Sequence, residues 1–163
     1  MVDQILTDIV PILEEEHAVC QQLIALVEEQ RRCLIEGDAD MLNEIVAQGQ
    51  RATARLQKAE EQRLSALRRY GYEDAEDVVL SALVAQASEP LYSRCEQLRQ
   101  ALYVDGLYLR AGTAANMRLM AQTQQLTQCL ISAIAESQRP DGYAPPGETC
   151  GTHGISLLVD SQV

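Results

Sequence analysis

The chain has no tryptophan and no phenylalanine, and six tyrosines supply all of its aromatic side chains. A thick globular core is hard to fill without large aromatic wedges, whereas small aliphatic side chains suit narrow seams between helices. Histidine is almost missing too, at two in 163 residues, which removes most metal and nucleophile constellations at once. No glycine-rich phosphate loop follows a strand, no convincing strand is present, and no Gly-x-Ser-x-Gly elbow occurs. Basic charge is scarce: 13 Lys and Arg stand against 24 Asp and Glu, a formal charge of −11. Phosphates would be repelled, which argues against a nucleic-acid partner and against anionic membrane surfaces. No run of about 18 apolar residues exists to cross a bilayer. Asp3 and Asp8 stand where the basic start of a signal peptide would lie, so a cytosolic protein is expected.

Five cysteines (Cys20, Cys33, Cys95, Cys129 and Cys150) form an odd set without a Cys-x-x-Cys pair. The first four fall inside helical patterns, and buried free thiols are expected for them. Two weak metal motifs remain. Glu14-x-x-His17 has the spacing of half a di-iron carboxylate site, but no second Glu-x-x-His exists to complete it, and a charged helix face is expected instead. Cys150-x-x-His153 offers two zinc ligands where a structural site needs four. Neither a metal nor another cofactor is expected, and neither is catalysis.

What is abundant is Leu, Ala, Gln, Glu and Arg, all strong helix formers. In the first segment Ile5, Ile9, Ile12, Cys20, Leu23, Val27 and Leu34 recur near helical spacing, predicting a helix over about 3–36 with Pro11 kinking or restarting it. Gly37 should stop it, and Asp38 or Asp40 should cap the next. That helix, about 39–70, carries a three–four seam of Leu42, Ile45, Gly49, Ala52, Leu56, Ala59, Arg63, Ala66 and Tyr70. The spacing is that of a coiled-coil-like contact, and the glycine and alanines would let a neighbour approach closely. Gly71 should end it. A short helix over about 74–87 is expected next, then a fresh start at Ser88-Glu89-Pro90 with Ser88 as N-cap.

The last helix, about 91–138, would extend about 70 Å at 1.5 Å per residue. Its seam reads Leu91, Cys95, Leu98, Leu102, Asp105, Leu109, Gly112, Asn116, Leu119, Thr123, Leu126, Leu130 and Ala133. Asp105, Asn116 and Thr123 interrupt the apolar stripe beside Gly106 and Gly112. Solvent exposure or a bend is the expected reason, with a polar contact as the alternative. After Pro140, four Gly and two Pro in the fourteen residues from Asp141 to Gly154 exclude regular structure. The short apolar run Ile155–Val159 follows. The expected fold is therefore all-α: an elongated antiparallel bundle or coiled-coil-like hairpin over 1–138, with one very long C-terminal helix, and an irregular tail over 139–163.

Several stretches also resemble a known family. Leu23-Ile-Ala-Leu-Val-Glu-Glu-Gln30, followed by Leu34, Asp40 and Leu42, is similar to the leucine-rich first helix, acidic turn and second helix of the FlgN flagellar export chaperones. Glu60-x-x-Arg63-x-x-x-Leu67-x-x-x-Gly71 resembles the family's ending of helix two. Asn116 before Leu119 and Met120 matches one of two asparagines common there, with Gly112 one turn earlier. Tyr143-Ala-Pro-Pro-Gly147 and Asp160 to Val163 are similar to the family's tail.

The resemblance implies a non-catalytic chaperone that binds the C-terminal helical segments of flagellar hook–filament junction subunits and delivers them to the type III export apparatus. It implies partner binding through Leu119, Met120, Leu126, Leu130 and Ile134 at the end of the long helix, and through Tyr143, Ile155, Leu157, Leu158 and Val159 in the tail. Residues alone leave a second reading open: a structural or adaptor coiled-coil bundle without an export role, with a homo-oligomer through the long helix as one form.

Overall fold

The computed structural model describes residues 1–72 and 80–137. Among the described residues four helices follow in order: α1 Val2–Glu36, α2 Ala39–Arg69, α3 Leu80–Val84 and α4 Leu91–Ser137. The chain divides into two compact units, Met1–Gln124 and Gln125–Val163.

Helix α1 runs through Pro11 without a break. Pro11 sits on the exposed side of α1, away from the packed positions Ile9 and Leu13. Gly37 ends the helix in the left-handed region at φ 74°, and its N–H returns to the Cys33 carbonyl at 2.8 Å. That conformation costs glycine nothing and other residues about 1 kcal/mol or more. Asp38 then caps α2, its Oδ1 accepting from the Met41 N–H at 3.0 Å. Gly71, at φ 88°, follows the end of α2.

The α2 seam packs as its spacing predicts. Ile45, Ala52, Ala59 and Ala66 are buried; Leu42, Gly49, Leu56, Arg63 and Tyr70 are half-buried. Close approach does not occur at Gly49, where an added Cβ would meet nothing within 4 Å. Polar contacts fix the direction of the pair: Arg55 reaches Gln22, Arg63 reaches Glu16 and Tyr70 reaches Asp8. Positions rise along α2 as they fall along α1, so the two are antiparallel.

Helix α4 is different. Ser88 bonds Asp3, Arg94 bonds Glu14, Asp105 bonds His17 and Gln21, and Asn116 bonds Val27 and Gln30. Positions rise together, so α4 lies parallel to α1 within the first unit, as the third long helix of an up-down-up arrangement does. Helix α2 has already brought the chain back to the starting end of α1, where Tyr70 bonds Asp8, and α4 sets out from that same end, where Ser88 bonds Asp3.

Two apolar clusters hold the first unit together. Ile5, Leu6, Ile9 and Leu13 of α1 meet Ala66 and Leu67 of α2, Leu83 and Val84 of α3, and Cys95 and Leu98 of α4. Val19, Leu26 and Cys33 meet Ile45 and Ala52 in a second cluster made by α1 and α2 alone. Because α1 carries a neighbour on two sides, Leu6, Leu13, Val19 and Leu26 are buried beyond the single stripe that periodicity picks out.

The short helix α3 ends at Val84, earlier than the expected Ala87; residues 85 and 86 form a turn, and residues 73–79 lie outside the described part. Ser88 is not an N-cap either. Its N–H and hydroxyl both go to the Asp3 carboxylate, and α4 begins after Pro90.

Candidate functional site

Of the polar members of the α4 seam, Asp105 and Asn116 lie inside the protein while Thr123 is exposed. Asp105 is 4% exposed and Asn116 2%, against the expectation of solvent or a bend. Burying such groups without partners would cost several kcal/mol, on the order of 2–7 for an unpaired amide or hydroxyl. Partners are therefore supplied by α1. The Asp105 carboxylate lies 2.8 Å from His17 Nδ1 and accepts from Gln21 Nε2 at 2.6 Å. Asn116 Nδ2 donates to the Val27 carbonyl and to Gln30 Oε1, each at 2.9 Å. Its Oδ1 is buried and accepts nothing from the described residues. Between these two clamps Gly112 meets α1 closely, since a Cβ there would stand 2.7 Å from Val27 Cγ1. Polar pairs of this kind fix the register of one helix on another more sharply than leucines do.

His17 is thus a half-buried partner of Asp105 rather than part of a solvated charged face, while Glu14 pairs with Arg94. Among the described residues no group of three or more His, Cys, Asp or Glu could hold a metal ion.

Cys20, Cys33 and Cys95 are buried free thiols. Burial pushes each of them up from the usual thiol range, with Asp105 and Glu16 adding to the effect at Cys20. A thiol held protonated is a poor nucleophile. Cys129 departs from the expectation and is exposed, because it lies on the part of α4 where the seam is no longer covered.

The residues proposed for partner contact fall in three places. In the first unit Leu119 is half-buried and Met120 exposed. In the second unit Leu126, Leu130 and Ile134 are 65%, 63% and 56% exposed. Four-residue steps advance about 40° around a helix, so these three occupy one side of α4. Tyr143, Ile155, Leu157, Leu158 and Val159 lie outside the described residues. Sequence reasoning missed Ile131, which is exposed beside that stripe, and Tyr103, Val104, Leu107, Tyr108 and Met117 in the first unit. Their signal was available: each is a large apolar residue off the packing register of its own helix.

A family model described as FlgN protein matches residues 1–150. The chain belongs to the FlgN family. Membership suggests a chaperone role in broad terms, and the helices of the described residues agree with the all-α class that composition and spacing predict. No curated protein and no solved structure is a significant match to the chain. No helix among the described residues is long and apolar enough to cross a membrane.

Proposed function

We propose that this FlgN-family protein is a cytosolic, non-catalytic export chaperone. It binds the C-terminal helical segments of flagellar hook–filament junction subunits and keeps them competent for the type III export apparatus. The observation that carries the reading is the exposed row Leu126, Leu130 and Ile134, because three large aliphatic side chains on one side of a helix are the anchors of a helix-in-groove contact. Leu119 and Met120 of the first unit, and Tyr143, Ile155, Leu157, Leu158 and Val159 of the tail, are the further contacts proposed. Left in water, such a row costs about 25 cal/mol for each Å² that a partner would cover.

Calorimetry with peptides spanning the C-terminal segments of junction subunits tests this. A one-to-one complex with a dissociation constant on the order of tens of micromolar or tighter is expected. Leu130→Glu should weaken it about tenfold or more while leaving the melting temperature unchanged, since the side chain is already exposed. Absence of binding by the unaltered chain would remove the export reading and leave an adaptor or structural bundle, self-associating or not, which sedimentation would then characterise.

A further inference from the structure

Within the first unit, α1 and α4 leave a cleft of roughly 260 Å³ along one side of their contact. Its walls are Ile24 and Val27 from α1 and Tyr108, Ala111 and Ala115 from α4. The small residues open the cleft: alanine and Gly112 on α4 face valine and isoleucine on α1, so the backbones approach while no side chain fills the space above. Tyr108 stands at its edge, 65% exposed.

Three features mark the cleft as more than an imperfection in packing. Asn116 also lines it, and the Asn116 carbonyl oxygen is the one buried side-chain polar atom without a partner among the described residues. Buried acceptors in folded proteins are normally satisfied, so an orphan at a cleft points to a missing donor. Glu28 and Arg31, one turn apart on the α1 lip, make no side-chain hydrogen bond or ion pair with the described residues. The lining positions also repeat as helix stripes: 24, 27, 28 and 31 on α1 against 108, 111 and 115 on α4. Two parallel stripes with apolar floors and charged lips suit a third helix better than a small molecule.

We propose that this cleft is a docking site for an amphipathic helix of a protein partner. The partner helix presents an apolar stripe to Ile24, Val27, Ala111 and Ala115, and an amide or hydroxyl donor toward Asn116. A basic residue meets Glu28 and an acidic one meets Arg31. The proposal rests on the export-chaperone reading, in which the bound segment is such a helix. It adds a second contact surface, in the first unit, for the same partner class.

The test uses the full chain and the same peptides from the junction subunits. Ala111→Arg places a long charged side chain in the cleft from an exposed position. It should weaken binding on the order of tenfold with an unchanged melting temperature. Tyr108→Ala, also at an exposed position, should weaken binding in the same direction. Hydrogen exchange on adding peptide should slow within residues 24–31 and 108–116. Unaltered affinity in both variants together with unprotected segments would overturn the docking site while leaving the chaperone reading intact. Failure of the unaltered chain to bind would instead overturn that reading, and the site with it.

Discussion

At the scale of single residues, glycines separate close approach from mere flexibility. Gly106 and Gly112 are both helical glycines of α4, but only Gly112 lies on its seam, and the structure shows what that position costs a side chain. An alanine at Gly106 would meet nothing within 4 Å, so Gly106→Ala should stabilise by about 1 kcal/mol through helix propensity. The same change at Gly112 would drive its methyl against Val27 Cγ1. Valine is stiff at χ1 and cannot swing away, so overpacking of about 1–3 kcal/mol should exceed the propensity gain. Urea denaturation checks both, and Val27→Ala should rescue Gly112→Ala. Asp3 gives a prediction of another kind. Its bonds to the Ser88 hydroxyl and N–H hold its carboxyl below the ordinary carboxylate value. A depressed folded pKa contributes stability that is present above the unfolded value and lost as pH falls through the folded one. Melting temperature should therefore drop on acidification below the usual carboxylate range, and Asp3→Asn should reduce that dependence.

At the scale of elements, α2 was the most legible part of the chain. Its one-sided seam repeats regularly, and it packs on a single neighbour, so periodicity and burial coincide. The narrow contact depends on alanine. Ala59→Leu or Ala66→Leu should destabilise by about 1–3 kcal/mol in denaturant, because neither buried site has room for the added carbons. Ala54→Leu, on the exposed side, should stay within about 0.5 kcal/mol. Helix α1 was less legible because it is flanked twice, and a stripe-finding argument recovers one face at a time. Helix α4 was misread at Asp105 and Asn116. Nothing local to those residues reveals that His17, Gln21, Gln30 and a Val27 carbonyl wait opposite them, some 84 to 89 positions away. The α4 seam otherwise follows its spacing through Leu119, and beyond it Thr123, Leu126, Leu130 and Ala133 are exposed.

At the scale of the molecule, the chaperone reading makes a division of labour between the packed helices and the C-terminal segment. Removing residues 139–163 should leave helicity and melting nearly unchanged, as read by circular dichroism, while weakening peptide binding by calorimetry. A large fall in melting temperature would instead make Ile155–Val159 part of the body. The helical class, the stops at Gly37 and Gly71, a cap at either Asp38 or Asp40 and the α2 seam were determined by sequence alone, because propensity, capping and period act within a few residues of chain. The tertiary structure decided the parallel run of α4 on α1, the burial of its two polar residues, the notch at Gly112 and which apolar side chains remain uncovered. Those outcomes depend on which surfaces meet across more than eighty residues, and no local rule carries that information.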